Sequence, residues 1–78
     1  MAYRNATIIA TSATSKNNGK VGFTSNSSSV IWANDAISQN NGTQGFLCYK
    51  NSFMYAVGST STGNSPNYDT QDVSYMQQ

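Results

Sequence analysis

The side chains able to do chemistry are few. Three carboxylates, Asp35, Asp69 and Asp72, stand in a chain with no Glu and no His. General acid–base catalysis needs two titratable groups poised near neutrality. Asp69 and Asp72 are three apart but sit in a polar stretch, where solvated loop acids are expected. A Ser, Thr or Cys nucleophile needs a base. Without His only a lysine or the amino terminus remains, and no Ser–Lys pair is marked, so the chain reads as a non-enzyme with no catalytic residues. Gly19-Lys20 and Gly22 do not have the spacing of a P-loop or of a dinucleotide fingerprint. No loop gathers the carboxylates that calcium requires, His ligation is excluded, and no metal or cofactor is expected. Arg4, Lys16, Lys20 and Lys50 are too few and too scattered for a phosphate-binding surface, so nucleic acid is not an expected partner.

What must position these residues is a chain of 78 residues with net charge +1. That is a single small domain, 1–78. Ser, Asn, Thr and Gln supply 12, 10, 8 and 5 residues, whereas Leu occurs once, so an aliphatic core is scarce. Nine aromatics supply the burial area instead, and near-zero charge does little to keep copies apart. A domain this small needs a disulfide, a metal or oligomerisation. With Cys48 alone and no His, oligomerisation is left by elimination. Cys48 itself reads as a small, semi-buried apolar residue. The longest apolar run, Val30 to Ala33, is far short of the ~20 residues of a membrane-spanning helix. No signal peptide is visible, although an assembly outside the cell or at its surface is favoured.

The informative pattern is a repeat of 23 residues. Residues 3–25, 26–48 and 49–71 align without gaps. The first two units share nine identities, among them Ile8/Ile31, Ala10/Ala33, Asn18/Asn41, Gly22/Gly45 and Phe23/Phe46, where roughly two are expected by chance. Ala10/Ala33/Ala56, Ser15/Ser38/Ser61 and Asn18/Asn41/Asn64 are identical in all three units. Each unit opens with a short apolar stretch: Thr7–Ile9, Val30–Trp32, Phe53–Tyr55. It continues through Ala and Ser, and reaches a turn at Asn18-Gly19, Asn41-Gly42 and, more weakly, Asn64-Ser65. Asn-Gly suits a type I′ hairpin turn, which needs positive φ at both central residues. The expected fold is therefore all-β, three degenerate strand–turn–strand repeats with Asn18, Gly19, Asn41 and Gly42 as turn residues. A short helix within 29–40 is the alternative, on the spacing of Val30, Ile31, Asn34 and Ile37. Residues 58–78 read as a polar C-terminal loop or arm, with Tyr68, Val73 and Tyr75 available for a final strand.

Stacked β repeats set identical side chains above one another, and Asn amides in such a column form hydrogen-bonded ladders. In period and polar composition the repeat resembles curlin-type amyloid repeats, though their regular Gln positions are absent and the aromatic load is higher. The expected function is structural: a self-assembling subunit of a filament, lattice or ring, whose main partner is itself. Phe23, Trp32, Phe46, Tyr49 and Tyr55 are the expected self-association residues. The alternative is a small oligomeric, lectin-like protein that binds glycans through Trp32, Tyr55 and the amide donors of the Asn columns.

Overall fold

The computed structural model describes residues 1–78. It is all-β, with eleven strands and no helix: β1 (Ala2–Tyr3), β2 (Thr7–Ile9), β3 (Thr14–Lys16), β4 (Phe23–Asn26), β5 (Val30–Trp32), β6 (Ile37–Gln39), β7 (Phe46–Tyr49), β8 (Phe53–Tyr55), β9 (Thr60–Thr62), β10 (Tyr68–Thr70) and β11 (Tyr75–Gln77). The strands form three parallel sheets: β1-β4-β7-β10, β2-β5-β8-β11 and β3-β6-β9. We call these sheets 1, 2 and 3. Each coil of the chain lays one strand in each sheet and then passes beneath itself. The result is a three-sided β-solenoid of about three turns.

The 23-residue period is the pairing register. Phe23 lies over Phe46, Ile8 over Ile31 over Met54, and Ser15 over Ser38 over Ser61. A parallel pair cannot be joined by a tight hairpin and needs a crossover of a dozen residues or more. Here the rest of the coil is that crossover. The hairpin geometry expected at Asn18-Gly19 and Asn41-Gly42 is therefore replaced. These residues do lie in a corner between strands, but each strand pairs with its counterpart one coil away and not with its sequence neighbour. The left-handed residue of that corner is Asn17, Asn40 or Gly63, at φ 58°, 52° and 68°. The helix alternative within 29–40 is likewise displaced, by β5 and β6. Val30, Ile31 and Trp32 alternate between the outside and the core, which is a strand period.

Residues 58–78, read as a loop or arm, carry β9, β10 and β11 and extend all three sheets. Here the register slips. Tyr68 pairs with Phe46 and Tyr75 with Phe53, an offset of 22. Asn64 still answers Asn41, yet Ser65 already donates to the carbonyl of Thr43, so the missing position is that of Gly42. The peptide between Ser65 and Pro66, in the same corner, is cis.

Inward positions build a narrow core. Ile31, Phe46, Cys48 and Met54 are fully buried, with Ala33, Ala36 and Ala56 at places where the walls approach closely. Each large side chain so buried stabilises the fold by about 1.5–3 kcal/mol. Phe23, Phe46 and Tyr68 stack through this core at 5.0 and 5.1 Å between centroids, within 9° of parallel. Burial depends on the coil: Ile31 and Met54 are buried, but Ile8 and Met76, in the same column, are only half-buried because nothing covers them on one side. The thiol of Cys48 is pushed up to about 12 by burial, against a smaller opposing effect of its hydrogen bond with Ser52, and stays protonated. Its neighbour Ser25 holds a buried hydroxyl without a partner.

Corners turn through left-handed residues. The corner from sheet 1 to sheet 2 uses two in succession: Arg4-Asn5, Ser27-Ser28, Lys50-Asn51 and Asp72-Val73. Asn tolerates this conformation, whereas a β-branched residue there is strained. Val73, at φ 58° and 93% exposed, gains no burial in return. Val73→Asn is expected to stabilise the chain by about 1 kcal/mol, read as a higher urea midpoint. An unchanged or lower midpoint would contradict the strain. Gly42 is constrained differently: a Cβ there would collide with the carbonyl oxygen of Gly19, whereas a Cβ on Gly19 meets open space. Gly42→Ala should lower the midpoint clearly and Gly19→Ala should not. Type I′ turns at both sites would make the two substitutions equally costly.

Candidate interaction surface

Sheet 3 joins sheet 1 through the corner that contains the Asn column. Asn41 Oδ1 accepts from the Asn18 N–H at 3.1 Å and from Asn18 Nδ2 at 2.9 Å. Asn64 Oδ1 accepts from the Asn41 N–H at 2.8 Å. The amide of Asn41 donates to Ser38 Oγ at 2.9 Å, and that hydroxyl donates to the Gly45 carbonyl at 2.9 Å. Ser15 with Gly22, and Ser61 with Asn67, repeat the last contact. The ladder thus converts each turn's free backbone groups into rungs between coils, which a buried polar corner requires. Asn67 closes it: its Oδ1 accepts from the Asn64 N–H at 3.2 Å, the place a fourth Asn would take. A second column, Ser29, Ser52 and Ser74, works similarly, with Ser29 Oγ accepting from the Ala6 N–H and Ser74 Oγ from the Ser52 N–H.

The three outer faces differ in chemistry. Sheet 3 shows Thr14, Lys16, Ile37, Gln39, Thr60 and Thr62, a polar wall. Sheet 1 carries a small cleft of about 240 Å³ between Lys20, Thr24, Leu47 and Tyr49, below the ~300 Å³ of ordinary ligand pockets and with no acid–base pair. Sheet 2 presents two apolar columns: Val30, Phe53 and Tyr75 below Thr7, and Ile9, Trp32 and Tyr55 above Gln77. Ile9 is 77% exposed, Tyr75 53%, Phe53 46% and Trp32 41%. A contiguous apolar face on a protein with so little apolar material is the outstanding feature of its surface.

The expected self-association residues divide accordingly. Phe46 is completely buried and Phe23 half-buried within their own chain, where they stack on each other. Trp32 and Tyr55 lie on the outer face of sheet 2. Tyr49 is half-buried on sheet 1 beside the cleft, with Lys50 Nζ 5.7 Å from its ring centre. Phe53, Tyr75 and Ile9 belong to the apolar face but were not among the expected residues. Phe53 opens the apolar stretch of its unit and Ile9 closes that of its own, so their period pointed to them. Tyr75 was hidden by the one-residue slip.

Trp32 and Tyr55 are stacked at 4.2 Å and 13°. Their strands are one sheet spacing apart, about 4.8 Å, so the rings lie face to face along the solenoid axis and turn their edges outward. A sugar stacks on an aromatic face, and these faces cover one another. The three aspartates lie apart, Asp35 in the corner after β5, Asp69 on β10 and Asp72 in the corner after it. Asp69 accepts from the side-chain amides of Gln44 and Gln71. No group of His, Cys, Asp and Glu side chains is arranged to hold a metal, and no helix is long and apolar enough to cross a membrane.

The ladder makes a graded forecast. Asn41→Ala removes a buried rung bonded on both sides and should cost about 3 kcal/mol, whereas Asn18→Ala, at the exposed end, should cost about 1 kcal/mol. Chemical denaturation of the two variants checks the order, and equal losses would show that the column is not cooperative between coils. No family model, curated protein or solved structure matches the chain.

Proposed function

We propose that this chain is a structural, non-enzymatic protein that works by associating with copies of itself. The observation that carries this reading is the outer face of sheet 2, where Ile9, Val30, Trp32, Phe53, Tyr55 and Tyr75 form an apolar surface that nothing in the chain covers. Packing that face against protein removes it from water, and buried aromatics dominate the energetics of such contacts. Edge-on rings favour protein packing over the lectin-like alternative.

Sedimentation velocity at micromolar concentration tests the reading. The parent chain should run as species well above 8.4 kDa. Trp32→Ser should weaken association by about 2–4 kcal/mol. Ile9→Lys should also weaken it while leaving the fold intact, because Ile9 is almost free of intrachain contact. A folded monomer at every concentration would overturn the proposal.

A further inference from the structure

Charge is sorted along the solenoid axis. Residues 1–25 carry Arg4, Lys16 and Lys20 and no acid. Residues 59–78 carry Asp69 and Asp72 and no base. Asp35 and Lys50, between them, cancel. The first coil contributes β1, β2 and β3 at one rim, and β9, β10 and β11 form the other, so a basic rim and an acidic rim face opposite ways. All six rim strands have a partner on one side only within the chain. The apolar columns stop half-covered at the same places: Ile8 and Phe23 at the basic end, Tyr68 and Met76 at the acidic end.

Resting on the self-association reading, we infer that copies of this chain stack head to tail, the basic rim of one on the acidic rim of the next, with the sheets in register. The columns specify the join. Ala2, Ser25, Cys48 and Thr70 form one column, and Ile8, Ile31, Met54 and Met76 another. In-register stacking places Ala2 of the next copy beneath Thr70 and its Ile8 beneath Met76, so sheet 2 continues without a break and Ile8 and Met76 are enclosed, while sheet 1 continues through the short β1, which does not reach beneath Tyr68. The corner column runs Arg4, Ser27, Lys50, Asp72, all at φ between 55° and 59°. The next member is Arg4 of the following copy, one sheet spacing, about 4.8 Å, from Asp72. Opposite charges there attract, and the reverse orientation, like rim on like rim, juxtaposes like charges. Sheet 3 has three strands against four in the others, so each junction leaves an opening one strand wide beneath Thr60–Thr62. Because the two rims differ, the contact is heterologous and does not close on itself; it gives an open filament with an axial repeat of four strand spacings, about 19 Å.

Charge reversal tests the join. A basic residue fits the left-handed site at position 72, since Arg4 and Lys50 occupy it in other coils. Asp72→Arg and Arg4→Asp, each made in the 78-residue chain, should raise the critical concentration for assembly about tenfold or more. The double variant should return to within about twofold of the parent. Circular dichroism checks that all three remain folded, and electron microscopy should show filaments with the 19 Å repeat. If the chain assembles but both single reversals behave as the parent, or the double is no better than either single, axial stacking is wrong while self-association stands. Loss of assembly in Trp32→Ser together with indifference to the reversals would assign the contact to the face of sheet 2 alone. A monomeric parent would remove both readings.

Discussion

The parallel backbone ladder between successive coils is the interaction on which the rest depends. Its register equates each residue with the one 23 positions on, or 22 at the last step. Once that equivalence is fixed, the requirements on a side chain become those of its column. An inward column must be apolar or small. The corner column at Asn18, Asn41 and Asn64 must bond the backbone of its neighbour. The columns at Asn5 and at Asn17 must accept positive φ. A composition with one Leu and 35 Ser, Asn, Thr and Gln residues can fold because polar residues serve as rungs and corners. The core needs only a few aromatic and thioether side chains in line.

Much of this was legible in the residues. The 23-residue period, the all-β class and the meaning of the repeated Asn follow from identities such as Asn18/Asn41/Asn64 and Phe23/Phe46. The Asn-Gly pairs pointed to a turn, correctly in place and wrongly in kind. A local signal suggests a local hairpin, whereas partners a full coil away are settled by the whole period. Tyr68 and Tyr75 are legible as candidates for a final strand but not as members of the aromatic columns, for another reason. Loss of the position after Asn64 moved them one place from their columns, and the side-chain period of two in a strand turns a slip of one residue into a change of face. The polar stretch before Tyr68 then looked like an arm. Its strands are held by columns above them and have weak propensity of their own.

The same logic explains which aromatic residues face inward. Phe23 and Phe46 follow Gly22 and Gly45, whose missing side chains leave room for the Ser38 and Ser61 hydroxyls of the next coil, and they open their strands at an inward position. Trp32 and Tyr55 close their strands one place after the buried Ile31 and Met54, so they point out. Aromatic content alone does not separate the two groups, since both form stacks across coils at similar distances. The difference is parity along the strand. The inner stack contributes to stability, and the outer one gives the surface its character.

Constant register also bears on how the chain folds. In most β proteins, strand pairs span a wide range of separations, and the longest loop closures slow folding. Here every ladder closes over 22 or 23 residues, so no coil faces a larger entropic barrier than the one before it. Folding energetics of this kind are those of a one-dimensional chain of nearest-neighbour couplings. The first contact between two coils is the slow step, and each later coil adds to a template already in place. Unfolding then begins at the rims, where each coil has one neighbour instead of two.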